Sequence, residues 1–466
     1  MQIYNTLGRK KEELLLSGSK IRIFVCGPTV YDHSHIGHAR TYIVFDLIAK
    51  YLRHKGYEVD YLQNITDIDD KIIERAKHKE INPSDLTQEY KEAYYEDMKA
   101  LGITSVTRYT PATSHIPEII SQVKRLIEKS IAYLIEDDGY YFDLTKFPDY
   151  GKLSGRTVEG AEDAVSRIDE SNKKKNRGDF ALWKFSKPEE PGWDSELGYG
   201  RPGWHIEDTA ITEKYFGPQY EIHGGAQDLV FPHHEAEIAQ MESISGLKPM
   251  VKYWMHSGFL TINGKKMSKS LNNFVTIRDA LTEYPPQALR LMFLSAHYRS
   301  PIDYRPENIE GSEAAVARIG EFLQKIKASF NSLQEKKNDK ARLAILSFES
   351  SFEREMDDDF NTPSAIAALF DLMRLINPTI DSLELDKSSA DKIISLLNQL
   401  DDLLGIIPPQ QDEIPINIRV LVQEREKERK NNNFTRSDEL RKEIKKLGYE
   451  IEDATFGPIA KKEKIV

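Results

Sequence analysis

The sequence predicts an α/β protein built around a doubly wound, Rossmann-like parallel sheet. An inserted connective domain interrupts the sheet, and a helical bundle and a small C-terminal α/β module follow it. Three observations carry this expectation. Residues 21 to 64 read as strand, helix, strand: Ile21–Val25 is a short apolar run closed by Gly27-Pro28. Val44, Leu47, Ile48, Tyr51 and Leu52 share a helical face that stops at Gly56, and Tyr57–Gln63 alternates. Two parallel strands joined by a crossover helix imply a doubly wound sheet, whose ligands bind beyond the carboxyl ends of the strands, where Cys26 and the next dozen residues fall. Residues 116–200 break the pattern with a helix (116–134), Gly139-Tyr-Tyr-Phe and a Lys-, Asn- and Gly-rich stretch, before strand-like runs return at 220–230 and 251–260. From Ser312 the apolar residues Val316, Ile319, Phe322, Leu323 and Ile326 keep a 3.6-residue period.

The expected organisation is therefore 1–115 and 201–250 as the two halves of the sheet domain and 116–200 as the insertion. Residues 251–311 are expected to form a region bearing the Lys-Met-Ser-Lys-Ser motif, 312–406 the bundle and 407–466 the final module, with Pro408-Pro409 as its linker. A chain of 466 residues is too long for one ordinary core. Its 39 % hydrophobic and 30 % charged residues suit a globular protein. No run approaches a membrane span, and the N-terminus lacks a secretory pattern, so a cytoplasmic chain with no membrane partner is expected. The single cysteine, Cys26, excludes an internal disulfide framework and a Cys-only zinc site. The net charge of −11 argues against non-specific DNA binding, although residues 424–464 carry 12 Lys+Arg against 10 Asp+Glu.

Two motifs carry chemistry. His35-Ile36-Gly37-His38 lies directly before a helix, where free N–H groups and the helix dipole favour an anion. Lys266-Met267-Ser268-Lys269-Ser270 follows an Asn263-Gly264 turn and suits neutralisation of a leaving polyphosphate. Alone, each fits a blander account: surface histidines at a cap, or a solvated lysine loop. Together and in this order they are the paired signature of the class I aminoacyl-tRNA synthetases, which the chain resembles. Gly198-Tyr-Gly-Arg-Pro-Gly203 matches the dinucleotide fingerprint, but it follows a polar stretch and places a proline where N–H groups should face phosphate, so it is set aside.

Five further segments narrow the resemblance: Cys26-Gly-Pro-Thr-Val-Tyr-Asp32, Asn64-Ile-Thr-Asp-Ile-Asp-Asp-Lys71, Gly200-Arg-Pro-Gly-Trp-His-Ile-Glu207, Phe231-Pro-His-His-Glu-Ala-Glu237 and Met356-Asp-Asp-Asp-Phe-Asn-Thr-Pro363. They resemble the cysteinyl-tRNA synthetase family over nearly the whole chain. The resemblance implies ATP-dependent activation of L-cysteine and its transfer to the 3′ end of cysteine tRNA. Zinc would be held by two cysteines, a histidine and a glutamate, and substrate thiolate would be preferred to a hydroxyl.

Carried over position by position, the metal ligands are Cys26, His233 and Glu237, and the second family cysteine falls on Asp208. His233 and Glu237 are spaced i, i+4, which places them on one face if the segment is helical. Three anions still surround the divalent ion, and an Asp oxygen is an accepted zinc ligand at about 2.0–2.2 Å. Zinc is therefore expected to be retained, less tightly. The blander account makes Asp208 a locally hydrogen-bonded residue, with the metal lost.

By the same resemblance His35, His38 and Gly37 face the phosphates, and Lys266, Ser268 and Lys269 the developing charge. Thr29, Trp204 and His223 line the amino-acid pocket, with Asp228 in the cleft, and magnesium accompanies the ATP. Phe434, Arg436, Arg441 and Lys442 would offer stacking and phosphate contacts to the anticodon, while residues 453–466 depart from the family pattern. A monomer is expected. Two other readings remain: a cysteine–amino-sugar ligase of the mycothiol type, against which the C-terminal module speaks, and a non-catalytic tRNA-binding paralogue, against which the intact motifs speak.

Overall fold

The computed structural model describes residues 1–16, 18–156, 173–267, 273–409 and 414–462. The chain opens with a hairpin of β1 (Gln2–Asn5) and β2 (Lys10–Glu13). Next come β3 (Lys20–Val25), α1 (Ile36–His54), β4 (Glu58–Ile65), α2 (Asp70–Lys79), α3 (Pro83–Ala100) and β5 (Arg108–Pro111). The insertion holds α4 (Ile116–Glu128) and an antiparallel sheet in the order β6 (Ala132–Ile135), β7 (Gly139–Phe142), β8 (Phe180–Phe185) and β9 (Gly200–Pro202). The chain returns through α5 (Ile206–Phe216), β10 (Tyr220–Ala226), α6 (Glu235–Ser245) and β11 (Val251–Ser257).

The central sheet has the order β11-β10-β3-β4-β5 and is parallel throughout. The chain winds outward from β3 to β5, then resumes on the other side of β3 with β10. The strand order thus reverses between β3 and β10, and the crevice at their carboxyl ends is where such sheets hold ligands. Burial on both sides explains the continuous apolar reading of the strands: Ile21, Ile23, Phe24 and Val25 are fully buried, as is Ile222.

Helix α1 starts earlier than the apolar periodicity alone predicts, because His35 caps it and the motif itself forms the first turn. The expected helix over 116–134 ends at Glu128. Ser130 takes a left-handed conformation (φ +56°), and Ala132–Ile135 pairs with Gly139–Phe142 instead. The discarded glycine fingerprint runs through β9, an outer strand of the insertion sheet.

A small sheet follows β11: β12 (Leu260–Ile262) lies between β13 (Lys265–Lys266), antiparallel, and β14 (Ile302–Tyr304), parallel. The chain divides into two compact units, residues 1–309 with 357–362, and residues 310–356 with 363–466. In the first unit, Asp357 accepts from Tyr51 Oη (2.9 Å) and Lys55 Nζ (3.1 Å). The fully buried Asp359 accepts from Tyr4 N (2.7 Å), Tyr298 Oη (2.8 Å) and Arg299 Nε (2.8 Å). Residues 357–362 of the Met356–Pro363 segment singled out in the sequence thus pack within the first unit.

The second unit contains helices Asp339–Asp357, Thr362–Asp381 and Lys387–Leu404, the last stopped by Gly405 at φ +62°. Its terminal module pairs helices Ile416–Lys430 and Phe434–Lys446 with a hairpin of Tyr449–Ala454 and Gly457–Lys462. Much of the module's positive charge is consumed internally: Asp453 holds Arg425 (2.6 and 3.0 Å) and Arg429 (2.6 Å), and Glu424 and Glu439 hold Arg436. Among the described residues no helix is long and apolar enough to cross a membrane.

Candidate active site and metal centre

Cys26, at the carboxyl end of β3, and the first turn of α1 meet at the same edge of the sheet. Gly27 makes the turn between them possible. A Cβ there would sit 1.7 Å from the Asn64 carbonyl oxygen, and Gly27 N donates to Asn64 Oδ1 at 2.5 Å. Gly27→Ala is expected to destabilise the protein by about 1–3 kcal/mol through overpacking, read as a lower thermal midpoint; an unchanged midpoint contradicts this.

The two motif histidines form a reciprocal cap. His35 Nδ1 accepts from Gly37 N (3.1 Å) and His38 N (3.3 Å), and His38 Nδ1 accepts from His35 N (3.3 Å). Their rings stack with centroids 3.8 Å apart. Because each Nδ1 accepts a backbone N–H, each neutral ring carries its proton on Nε2, which makes Nε2 the donor that phosphate oxygen requires. Burial lowers the His38 pKa well below its ordinary value, so the neutral form holds at neutral pH. A Cβ on Gly37 would lie 2.9 Å from the His35 ring and 3.6 Å from Met267 Cε. The glycine thus keeps the cap close to the second motif. Lys266 is exposed on β13; Ser268 and Lys269 lie outside the described residues.

Behind Cys26 is a buried cluster of donors. Its Sγ lies 3.3 Å from His234 Nε2, 3.7 Å from Glu237 Oε1, and 3.8 Å from both Asp208 Oδ2 and His223 Nε2. Two overlapping sets have ligand atoms within 4.8 Å of one another: Cys26, His223, His234, Glu237 and Cys26, His205, Asp208, Glu237. Burial, then Glu237 and Asp208, push the Cys26 thiol well up, and burial raises Glu237 to about 7. Asp208 Oδ1 and Glu237 Oε2 are buried without hydrogen-bond partners. Three acidic groups converging with orphaned oxygens are costly unless a cation joins them, and the thiol, imidazole and carboxylate donors suit zinc.

One expected ligand is displaced. His233 belongs to neither set; its Nδ1 lies 2.5 Å from His205 Nε2, and His205 Nδ1 lies 2.8 Å from Asp208 Oδ2. The His205 ring thus stands between Asp208 and His233. His233 and Glu237 keep their i, i+4 spacing, but the backbone leaves helical geometry at Phe231 (φ −141°, ψ 131°) just before α6, and it is His234, at i, i+3 from Glu237, that faces the thiol. Against burial, which lowers it, Asp208 and Glu237 raise the His205 pKa to about 10.

His223 enters the cluster with Nδ1 held 2.7 Å from Tyr220 Oη. Trp204 packs edge-on against His233, with ring centroids 5.0 Å apart. Thr29 bridges to Thr66 beside the β3 end, whereas Asp228 is exposed in the turn after β10. Sequence reasoning missed His234, His205 and His256. His256 Nε2 lies 2.8 Å from His234 Nδ1, and its Nδ1 lies 2.8 Å from Thr6 Oγ1. The adjacent His233-His234 pair was the available signal for the first, since either ring can lead once the helical register is unknown.

Residues 13–314 match the family described as tRNA synthetases class I (C) catalytic domain, and residues 351–408 match the DALR domain. A cysteine--tRNA ligase of Thermococcus gammatolerans is 43 % identical over 479 aligned positions, covering 100 % of both chains. One of Thermoplasma acidophilum is 45 % identical, covering 97 % of this chain and 98 % of its own. The chain belongs to the cysteine--tRNA ligase family. It is thus a class I aminoacyl-tRNA synthetase, a ligase. A solved Mycobacterium tuberculosis methionyl-tRNA synthetase in complex with methionyl-adenylate superposes with a TM-score of 0.63 at 15 % identity, over 83 % of this chain and 92 % of that one. At that identity the likeness speaks for the fold alone.

Proposed function

We propose that this chain activates L-cysteine with ATP and transfers it to the 3′ end of cysteine tRNA, as a monomer in the cytoplasm. The observation that carries the reading is the meeting, at one sheet edge, of a helix N-terminus bearing two Nε2–H donors with a buried thiol–carboxylate–imidazole cluster. In the first step a carboxylate oxygen of cysteine attacks the α-phosphorus of ATP. The bond to the bridging oxygen breaks, and pyrophosphate leaves. In the second, a terminal ribose hydroxyl of the tRNA attacks the activated carbonyl and AMP leaves. Neither step needs a protein nucleophile, so rate comes from positioning and electrostatics.

His35 and His38 donate through Nε2 to phosphate oxygens, at the helix end whose dipole favours the anion. Lys266 and Lys269 balance charge on the departing pyrophosphate, with Gly37 and Ser268 close to the nucleotide and magnesium accompanying ATP. Thr29, Trp204 and His223 border the amino acid, with Asp228 at the cleft mouth.

Cys26, Asp208 and Glu237 supply the anionic donors of a zinc site, and a histidine nitrogen completes it. His234 Nε2 is the nitrogen that faces the thiol, and His233 reaches the site only if the His205 ring moves aside. Bound zinc supplies a soft Lewis acid that takes thiolate in preference to hydroxyl. Phe434, Arg436, Arg441 and Lys442 are proposed to meet the anticodon.

Cysteine-dependent ATP–pyrophosphate exchange tests the reading. The purified protein is expected to exchange with cysteine and hardly with serine, and His38→Ala to lower the rate about 10²-fold, the scale of losing one preorganised donor. No exchange with cysteine defeats the activation step and leaves the non-catalytic paralogue.

A further inference from the structure

Arg40 is 1 % exposed, and no carboxylate pairs with it among the described residues. Its guanidinium instead donates to four backbone carbonyls: Nη1 to Gly258 O (2.8 Å) and Phe259 O (2.6 Å), Nη2 to Tyr298 O (3.3 Å) and to Ser300 O. Burial lowers its pKa to about 10. A buried cation without a counter-ion is an expensive way to hold loops together, and what it holds is specific. Gly258 and Phe259 lead directly into β12, and Tyr298–Ser300 lead into β14. Those strands form the sheet on which β13 presents Lys266. Gly258 is pressed so close that a Cβ would fall 2.5 Å from the carbonyl oxygens of Arg299 and Ser300. Beside it, Thr41 Oγ1 meets Ser257 Oγ at 2.8 Å.

The chain that resumes after the second motif, at 274–277, is fastened to the same helix start. Ile36 N donates to Val275 O (3.1 Å), Ile277 N donates to Ser34 O (2.9 Å), and Phe274 packs edge-on against the His35 ring. Both ends of the lysine-bearing loop are therefore rooted on the segment that carries His35 and His38.

We propose that Arg40 is a positioning residue for adenylate formation: its guanidinium fixes the three-stranded sheet that carries Lys266 against the helix that carries His35 and His38. Two charge-stabilising groups on separate elements act on one transition state only if their spacing is held, and small misplacements cost large factors in rate. Arginine suits the task because its planar fork meets several carbonyls at fixed angles, which a lysine ammonium cannot reproduce.

The inference rests on the assignment of both motifs to ATP, so the test carries a control for that assignment. Arg40→Lys, Arg40→Met and Thr41→Val are compared with His38→Ala in cysteine-dependent ATP–pyrophosphate exchange, with kcat and the KM for cysteine measured alongside zinc content. The Arg40 variants are expected to lose about tenfold or more in kcat, with lysine retaining more than methionine. Thr41→Val is expected to lose less. Zinc content and the KM for cysteine stay near the parent values, since the thiol cluster does not touch Arg40. If Arg40→Met does not fold, the lysine and Thr41 variants carry the comparison. An unchanged kcat in Arg40→Lys and Thr41→Val overturns the inference, as does a loss in which zinc content and the KM for cysteine move with kcat, the mark of general destabilisation. A silent His38→Ala overturns the motif assignment, and this inference with it.

Discussion

Glu237→Ala is expected to empty the metal centre and lower cysteine activation by about 10²-fold or more, since even residues supporting a metal ligand from outside cost about 10–100-fold when removed. Glu237 is fully buried, belongs to both candidate ligand sets, and has one oxygen 3.7 Å from Cys26 Sγ and another without a hydrogen-bond partner. Removing it leaves a thiol and Asp208 to hold the ion with histidine, too few anions to offset burial of a divalent charge. Metal analysis of protein purified without chelators, together with exchange assays, checks this. One zinc per chain with full activity in the variant contradicts it. The companion change, Asp208→Cys, restores a sulfur donor and is expected to slow loss of zinc to a chelator, because softer donors hold zinc more tightly than oxygen in such a site.

Asp46→Ala is expected to destabilise the protein by about 3–5 kcal/mol, the cost of leaving a buried partner charge uncompensated. Asp46 is fully buried on α1. Its Oδ1 accepts from Thr104 N and Ser105 N, each at 3.0 Å, and its Oδ2 from Arg290 Nη2 at 3.0 Å and Lys50 Nζ at 2.9 Å. Its removal takes a buried carboxylate partner from Arg290, which is 2 % exposed and also donates to the carbonyls of Leu101 and Gly102. Burial alone would raise the Asp46 pKa, but Arg290 and Lys50 hold it below the ordinary value. A carboxylate lowered in the folded state contributes stability that is fully present above its unfolded pKa and is lost as the pH falls through its folded value. Chemical denaturation at neutral and acid pH therefore separates the variant from the parent strongly at neutral pH and weakly in acid. An equal difference at both contradicts the ion-pair account.

Local signals made the helix end that carries His35 and His38 legible. His35 and His38 cap their own helix, so motif and structure lie within four residues, and the strand–helix–strand pattern around them places the pair at the correct sheet edge. The metal end depends on register over a longer span. Phe231–Glu237 reads as a helix, yet the backbone is non-helical at Phe231, and His234 rather than His233 lies beside Cys26. Cys26, which follows β3 directly, and Asp208 and Glu237, each in the first turn of a helix, are brought together as the resemblance implies. Arg40 left no trace in composition or periodicity: an arginine in a helix reads as surface until four carbonyls are seen around it. The basic residues near the C-terminus show the limit of a charge count, since Arg425, Arg429 and Arg436 each lie against a neighbouring acid that the sequence does not place beside them.

Charging measures directly whether this site joins cysteine to tRNA. Purified protein given ATP, magnesium, cysteine and cysteine tRNA is expected to form cysteinyl-tRNA, and to form none with serine at the same concentration. Activation of cysteine without transfer to tRNA, particularly with transfer to an amino sugar, would contradict the account.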